Sequence, residues 1–196
     1  YFPNEQSQAP YPVIIACHGG AFIMGNAEGK DVEGMINSVH HGYAVVSVNY
    51  RLAPENVSPA AVNDMKAAVR WVKANAQKYH FDPEKIVAWG DSAGGNLVAM
   101  VGTTGDLPYI GNNDNPENLE YSSAVQAVVA WYGSMDFLSM DKQFAESGLE
   151  RMFPREIYPQ DDPEKLPESL YLGQLFTKDP QLTKQSDPAT YINTMN

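Results

Sequence analysis

The sequence predicts an α/β fold built on a doubly wound, mostly parallel sheet. Short segments rich in β-branched or aromatic residues alternate with segments of helical periodicity as far as Tyr132, and this alternation is typical of parallel strands joined by crossover helices. The short segments are apolar throughout instead of alternating with polar residues, which indicates strands covered by helices on both faces.

The four predicted strands are separated by enough chain for a crossover each time. They cover Pro12 to Cys17, Tyr43 to Asn49, Lys85 to Trp89 and Val125 to Tyr132. Because catalytic groups in such sheets gather where the strands end, the residues that follow each strand are the first candidates for a site.

Three helical patterns lie between these strands. In the clearest, Pro59 suits a first helical turn, and the apolar residues that follow it share one face at spacings of three and four: Val62, Met65, Val69, Val72 and Ala76. A second helix is predicted over Lys30 to His41, ending at Gly42, and a third begins just after Ser92 and runs to about Val101.

Two segments are less regular. Residues 103–124 are polar and rich in turn residues, and Asp114 there lacks the alternating acidic ligands and closing glutamate of a calcium loop, so a solvated loop is predicted. Residues 134–188 hold short helical stretches interrupted by prolines, which predicts a lid-like insertion over the active-site edge. The whole of residues 1–196 is predicted to form a single, partial domain.

The composition excludes several classes of function. Thirteen basic against twenty-four acidic residues give a formal net charge of −11, a field that argues against nucleic-acid and membrane partners. The single cysteine, Cys17, excludes an intrachain disulfide framework. No signal peptide is visible at the start of the sequence, and the compartment, cytoplasmic or secreted, is left open.

The strongest chemical signal is the pentapeptide Gly90-Asp91-Ser92-Ala93-Gly94, which fits G-x-S-x-G between a predicted strand and a predicted helix. A serine in so sharp a turn has strained backbone angles, and only small residues two positions before and after it let the turn close. The alternative is an ordinary serine at a helix N-terminus. The context favours Ser92 as a nucleophile.

A second signal, CHGGAFIMG at residues 17–25, directly follows the first strand. Its glycines free the backbone, so that the N–H groups of Gly20 and Ala21 can converge with that of Ala93 to form an oxyanion hole. The alternative is a plain Gly-Gly turn.

Together these segments resemble a known family. HGGAF, then YRLAPE at 50–55, then GDSAGGN at 90–96, in this order and at these spacings, are similar to the hormone-sensitive-lipase-like and carbohydrate-esterase-like (BD-FAE-like) serine esterases of the α/β-hydrolase superfamily. The likeness extends to YGSMDF and SDPATYI, and so covers nearly the whole chain. It implies an α/β-hydrolase fold with Ser92 as nucleophile and Gly20, Ala21 and Ala93 at the oxyanion hole. Position 21 is alanine where many members have a third glycine, but its N–H is retained.

The histidine that would act as general base has no clear candidate in this sequence. An α/β-hydrolase has the order serine, acid, histidine, yet none of the four histidines follows residue 80. His40, His41 and His80 precede strands and are therefore expected at the opposite edge of the sheet from Ser92. Only His18 is at the correct edge, and the resemblance implies a structural place for it beside the oxyanion loop.

The acid has one candidate inside the chain, Asp136, which follows the fourth strand at the correct edge. In the family that the chain resembles, the acid comes one strand later. Asp91 and Asp64 are expected to be structural. We therefore expect the chain to be truncated at both ends, with the acid and the histidine after Asn196 and with the strand Val125 to Tyr132 left as an exposed, self-associating sheet edge.

The sequence thus predicts the core of a serine carboxylic-ester hydrolase that works through an acyl-enzyme and needs no metal or organic cofactor. The resemblance implies small acyl esters as substrates, for example acetyl or feruloyl groups on plant sugars. Because the acid and histidine are not among these residues, the activity of the 196-residue chain is expected to be impaired. Two alternatives stay open: a peptidase of the same fold, and an inactive fragment or pseudoenzyme.

Overall fold

The computed structural model describes residues 1–4, 8–107, 116–148, 159 and 161–192. Its centre is a parallel four-stranded sheet in the order β2-β1-β3-β4. The strands are β1 (Tyr11–Cys17), β2 (Ala44–Val48), β3 (Phe81–Asp91) and β4 (Ala127–Trp131). The parallel sheet is the one that the sequence predicts. β3 starts earlier than predicted, because an irregularity in β1 between Tyr11 and Val13 lets Tyr11 pair with Phe81.

The register brings the carboxyl ends of all four strands to one edge. Cys17 pairs with Val48 on one side and with Gly90 on the other, and Asp91 pairs with Trp131. The residues after β1, after β3 and after β4 therefore meet at this edge, which is where the sequence places the candidate site.

The helices follow the predicted crossovers. Within the described residues the α-helices are α1 (Glu33–Ile36), α2 (Ala60–Ala74), α3 (Ala76–Tyr79), α4 (Ser92–Thr104), α5 (Met140–Ser147), α6 (Pro167–Leu172) and α7 (Pro180–Lys184). Short 3-10 helices cover Lys30–Val32, Asn37–His41, Phe137–Ser139, Pro163–Lys165 and Pro188–Tyr191.

Two helices differ from the prediction. The predicted stripe that runs to Ala76 is divided, because α2 ends at Ala74 and α3 begins at Ala76. The helix predicted after β1 is divided as well. Instead of one helix from Lys30 to His41, the chain forms α1 between two 3-10 helices, and the last turn ends at Gly42 with φ of 87°. None of these turns has a side-chain cap, and Gly34 lies in the middle, so the segment is a weak helix former that follows its packing instead.

The core lies on both sides of the sheet. Val13 and Ile15 of β1 point into a large cluster with α2 and α4, whereas Ile14 and Ala16 point into a second cluster around Met35 of α1. All five side chains are at most 4 % exposed. Alternate residues of one strand are thus buried on opposite faces, which confirms the doubly wound arrangement.

β4 corrects the expectation that every strand is covered on both faces. It is the last strand of the sheet, its first residue is exposed, and Trp131 at its end is 49 % exposed. Apolar composition predicts a strand but does not say whether a neighbour covers it. As the last strand of the described sheet, β4 has the unpaired edge that the sequence predicts. Self-association through this edge stays a prediction.

In the segment 134–188 the described residues form short helices joined by irregular stretches, as the sequence predicts. Proline occupies one of the first two positions of α6, of α7 and of two 3-10 helices. A backbone N–H at these positions has no acceptor within the helix, so the lack of one in proline costs nothing. Asp114 and Pro154 lie outside the described residues. No helix in the described part of the chain is long and apolar enough to cross a membrane.

Candidate active site

Ser92 lies at the junction of β3 and α4 with φ of 51°, a left-handed conformation that non-glycine residues rarely adopt. The surrounding glycines are sterically required. A Cβ at Gly94 would lie 2.5 Å from the carbonyl oxygen of His18, and a Cβ at Gly90 would lie 2.5 Å from the carbonyl carbon of Gly94. The turn therefore closes only with small residues, which is the physical content of the G-x-S-x-G pattern.

The loop after β1 is also left-handed over three consecutive residues: Gly20 with φ of 96°, Ala21 with 55° and Phe22 with 65°. The N–H groups of Ile23 and Met24 both donate to the Gly20 carbonyl at 3.0 Å and close the turn. Among the described residues, the N–H groups of Gly20 and Ala21 have no acceptor. They could receive an anionic oxygen.

Buried hydrogen bonds hold the start of this loop. The Tyr50 hydroxyl donates to the carbonyl oxygens of His18 at 3.1 Å and Gly19 at 2.9 Å, and the Gly19 N–H donates to Asp31 Oδ2 at 2.9 Å. Burial raises the pKa of Tyr50 far above its ordinary value, so this hydroxyl remains a donor at any physiological pH.

His18 supports the same loop. Its ring stacks on Tyr50 with centroids 4.2 Å apart, and its Nδ1 donates to the Gly19 carbonyl at 2.8 Å. A carbonyl can only accept, so Nδ1 carries the proton. Burial lowers the pKa of His18, which keeps the imidazole neutral. These contacts give His18 the structural place that the resemblance implies.

The other histidines lie at the amino ends of strands. His40 and His41 are exposed at the end of the turn before β2, and His80 is exposed directly before β3. His80 precedes the amino end of β3 and Ser92 follows its carboxyl end, so the whole length of the strand lies between them. The expectation that these three histidines occupy the opposite edge is confirmed.

Two acidic side chains meet after β4. Asp136 precedes the 3-10 helix Phe137–Ser139, and Asp187 Oδ1 accepts the Phe137 N–H at 2.9 Å. Asp187 is 1 % exposed, and within the described structure its Oδ2 is buried without a hydrogen-bond partner. Burial, with a further contribution from the charge of Asp136, raises the pKa of Asp187 to about 6.

The other two aspartates have clear partners. Asp91 is 8 % exposed, and its Oδ2 accepts from the Tyr132 hydroxyl at 3.2 Å. Burial raises the pKa of Asp91. Asp64 forms an ion pair with Arg51 at 2.9 Å and also accepts the Arg51 backbone N–H at 2.8 Å. Both aspartates thus brace the loops around the site.

Backbone strain is concentrated at this edge of the sheet. Of the six non-glycine residues described with positive φ, four lie there: Ala21, Phe22, Ser92 and Tyr132. Each such residue costs about 1–3 kcal/mol, so neighbouring contacts must hold it in place. Unfavourable backbone geometry of this kind is often found at functional sites.

Comparison with known proteins decides the family, because the BD-FAE family model matches residues 1–196. The chain belongs to the BD-FAE family. This confirms the resemblance seen in HGGAF, YRLAPE and GDSAGGN.

Several relatives of this BD-FAE chain are named as esterases or ester hydrolases. The chain is 36 % identical over 135 residues to the probable carboxylic ester hydrolase LipM of Mycobacterium tuberculosis, a match covering 69 % of this chain and 30 % of LipM. Among solved structures it is similar to a truncated carbohydrate esterase from gut microbiota, with a TM-score of 0.79 and 29 % identity over 98 % of this chain and 66 % of that one. A thermophilic esterase of Thermogutta terrifontis, Est2 with butyrate bound, gives a TM-score of 0.68 and 26 % identity over 98 % of this chain and 61 % of Est2.

This BD-FAE chain spans less than a third of the length of the curated relatives it matches first. In the described part of the chain, no three side chains of His, Cys, Asp or Glu are grouped as metal ligands.

Sequence reasoning missed Asp187. SDPATYI contributes to the family resemblance, but nothing in its local pattern predicts a buried carboxyl beside Asp136. The signal lies in the tertiary contact between the Asp187 side chain and the Phe137 N–H, 50 residues apart. Local spacing does not reveal such a pair.

Proposed function

We propose that this chain carries the nucleophile and oxyanion hole of a serine carboxylic-ester hydrolase. Ser92 would attack the acyl carbon of an ester, and the N–H groups of Gly20, Ala21 and Ala93 would stabilise the oxyanion. The observation that carries the proposal is the left-handed Ser92 at the start of α4, on the same sheet edge as two backbone N–H groups that have no acceptor within the described residues.

The reaction proceeds in two steps. The bond between Ser92 Oγ and the acyl carbon forms, the hydroxyl proton passes to a base, and the alcohol leaves with a proton from that base. Water then attacks the acyl-enzyme, releases the carboxylic acid and restores the Ser92 hydroxyl. In each step the negative charge on the carbonyl oxygen is held by the loop after β1 and the N-terminus of α4.

The base is proposed to come from outside these 196 residues. His40, His41 and His80 lie at the far edge of the sheet, and His18 is engaged with Gly19 and Tyr50. Among the described residues, no imidazole or carboxylate is hydrogen-bonded to the Ser92 hydroxyl. We infer that the isolated chain binds esters but turns them over slowly. Within the chain, Asp136 is the candidate for the acid, because it follows β4 at the same sheet edge as Ser92.

Small acyl esters are the proposed substrates. The support comes from Est2, whose structure holds butyrate, and from the gut carbohydrate esterase, whose name points to acyl groups on sugars. Both align over 98 % of this chain. We extend both features to this chain as a proposal: a short acyl group, with a sugar as the alcohol.

A fluorophosphonate probe tests the nucleophile directly, since it reports covalent capture by an activated serine. We expect slow labelling of the 196-residue chain, none in Ser92→Ala, and labelling at least about 10⁴-fold faster in a longer chain that supplies the base. Ser134→Ala is a matched control, because Ser134 also follows a strand but does not occupy a strand-to-helix turn.

Two outcomes would contradict the proposal. Labelling that persists in Ser92→Ala would place the nucleophile elsewhere. Rapid stoichiometric labelling of the 196-residue chain would mean that a base lies within it. Hydrolysis of nitroanilides as fast as nitrophenyl esters by the longer chain would favour the peptidase alternative.

A further inference from the structure

We propose that Tyr171 of α6 is a positioning residue for the oxyanion loop and acts through Phe22. This inference rests on the proposed function, because its catalytic meaning depends on the N–H groups of Gly20 and Ala21 receiving the oxyanion. The juxtaposition itself is independent of that function. The Tyr171 ring stacks on Phe22 with centroids 4.1 Å apart and planes inclined by 12°.

Phe22 needs such a support. It is the last of three consecutive left-handed residues and the bulkiest of them, and at φ of 65° a large aromatic residue is a clear outlier. Strained backbone persists only where surrounding contacts over-determine it. If Phe22 relaxed to an extended conformation, the peptide between Ala21 and Phe22 would rotate, and the left-handed run that orients the N–H groups of Gly20 and Ala21 would lose its last residue.

The support comes from distant parts of the chain. Phe137, the first residue of the 3-10 helix after β4, meets Phe22 edge-on with ring centroids 6.1 Å apart and Tyr171 edge-on at 6.3 Å. All three rings are at most 3 % exposed. Such a cluster of one stacked and two edge-on pairs fixes the position of each ring.

Two backbone hydrogen bonds from the segment after β2 add to these ring contacts. The Ala53 N–H donates to the Phe22 carbonyl at 2.9 Å, and five residues later the Ser58 N–H donates to the Tyr171 carbonyl at 2.7 Å. The segment after β2 is therefore hydrogen-bonded both to Phe22 and to Tyr171, which stacks on Phe22. Ser58 is further joined to Ser186 by a hydroxyl–hydroxyl hydrogen bond of 2.6 Å.

These contacts give α6, which lies within the segment 134–188, a structural role beside the loop after β1. α6 contributes the Tyr171 ring, and its stacking on Phe22 is the brace of the oxyanion loop. Tyr171 is a positioning residue and not a catalytic one, because its ring contacts the loop through the Phe22 side chain and not through the N–H groups that would receive the oxyanion.

Amide hydrogen exchange tests the brace without any catalysis. The N–H groups of Ile23 and Met24 close the loop on the Gly20 carbonyl, so their exchange reports its opening. In Tyr171→Leu we expect these amides to exchange about tenfold faster or more, whereas Tyr171→Phe, which keeps the ring, leaves them unchanged. Phe22→Leu removes the same contact from the other side, and the double variant with Tyr171→Leu should exchange no faster than either single variant.

Phe176→Leu is the matched control. Phe176 is a buried aromatic residue of the same core cluster, but in the described structure it makes no ring contact with Phe22. Its loss should lower global stability without selective opening of the loop. The proposal is overturned if exchange at Ile23 and Met24 is unchanged in both Tyr171→Leu and Phe22→Leu, or if Phe176→Leu accelerates it equally.

A second measurement separates this inference from the proposed function. In the longer chain, Tyr171→Leu should slow fluorophosphonate labelling of Ser92 about tenfold or more at unchanged probe affinity, because the oxyanion forms after binding. If Ser92 is not labelled at all, the proposed function fails while the exchange result still decides the brace. Normal labelling with accelerated exchange would overturn the catalytic meaning of the brace.

Discussion

Two regions of the molecule are built on different physics. In the elbow region, residues 17–25 and 90–96, backbone atoms approach each other so closely that several glycine positions have no room for a Cβ. Several other residues of this region adopt left-handed backbone angles. The distal region, residues 131–137 and 163–192, is shaped by buried side chains that meet from far apart in the sequence, such as Asp187 with the Phe137 N–H. Short-range sterics leave a motif in the sequence, whereas long-range burial does not.

The largest expected effect separates the two kinds of region. A Cβ at Gly94 would overlap the carbonyl oxygens of Cys17 and His18, and neither backbone can move without opening the sheet. We expect Gly94→Ala to lower the free energy of unfolding by about 3–5 kcal/mol, or to prevent folding. Urea denaturation followed by circular dichroism measures the difference.

Gly34→Ala is the matched control, because nothing lies within 4 Å of a Cβ built there. Its stability should be unchanged or raised by up to about 1 kcal/mol, since alanine restricts the unfolded chain. Equal losses in the two variants would mean that steric closure does not set the elbow region apart.

The next effect concerns the distal region and its electrostatics. Burial raises the pKa of Asp187 from 3.8 to about 6, so the folded protein binds a proton more tightly than the unfolded chain does. The wild-type stability should therefore fall as the pH rises from about 4 to about 6. Asp187→Asn keeps an acceptor for the Phe137 N–H and removes the buried charge.

We expect Asp187→Asn to be more stable than the wild type at pH 7 by about 1–3 kcal/mol, with the difference vanishing near pH 4. Denaturation curves at several pH values measure it. Asp161→Asn is the control, since it makes the same change of side chain at an exposed position. A pH-independent difference, or a destabilised variant at pH 7, would contradict the assigned cause.

The same contrast explains how much the sequence could predict. The sheet, its carboxyl edge and the elbow at Ser92 follow from apolar runs and from glycine spacing, which are local patterns. The far placement of His40 and His80 follows from their order relative to the strands. In contrast, the exposure of β4, the burial of Asp187 and the left-handed Phe22 depend on neighbours that local patterns do not name.

Within the elbow region, the loop after β1 is also held by a buried side chain, that of Tyr50, and removing its hydroxyl tests how much this contact adds. Its buried hydroxyl is the donor for two carbonyl oxygens, those of His18 and Gly19. Tyr50→Phe should cost about 1–2 kcal/mol, because both acceptors lose a partner in a buried place. Chemical denaturation measures this loss. Tyr43→Phe serves as the control. No loss in Tyr50→Phe would mean that the glycine turn alone holds the loop.

The smallest expected effect concerns a hydrogen bond between the elbow region and the distal region. Tyr132, after β4, donates its hydroxyl to Asp91 of the elbow region at 3.2 Å, and the tyrosine is 76 % exposed. Burial raises the pKa of Asp91, and this hydrogen bond opposes that rise. Tyr132→Phe should therefore raise the pKa of Asp91 further and lower stability at pH 7 by only about 0.5–1 kcal/mol, because solvent competes for the exposed hydroxyl.

The sign of its pH dependence makes this prediction decisive. The bond favours the ionised carboxyl, so the loss in Tyr132→Phe should be present at pH 7 and disappear at acid pH once Asp91 is protonated. Denaturation of both proteins at pH 7 and at a pH below 3.8, the ordinary pKa of an aspartate, measures it. Tyr121→Phe is the matched control, because Tyr121 is also exposed but does not contact Asp91. An equal loss at both pH values would show that Tyr132 acts by packing alone, and the elbow and distal regions would then not be electrostatically coupled.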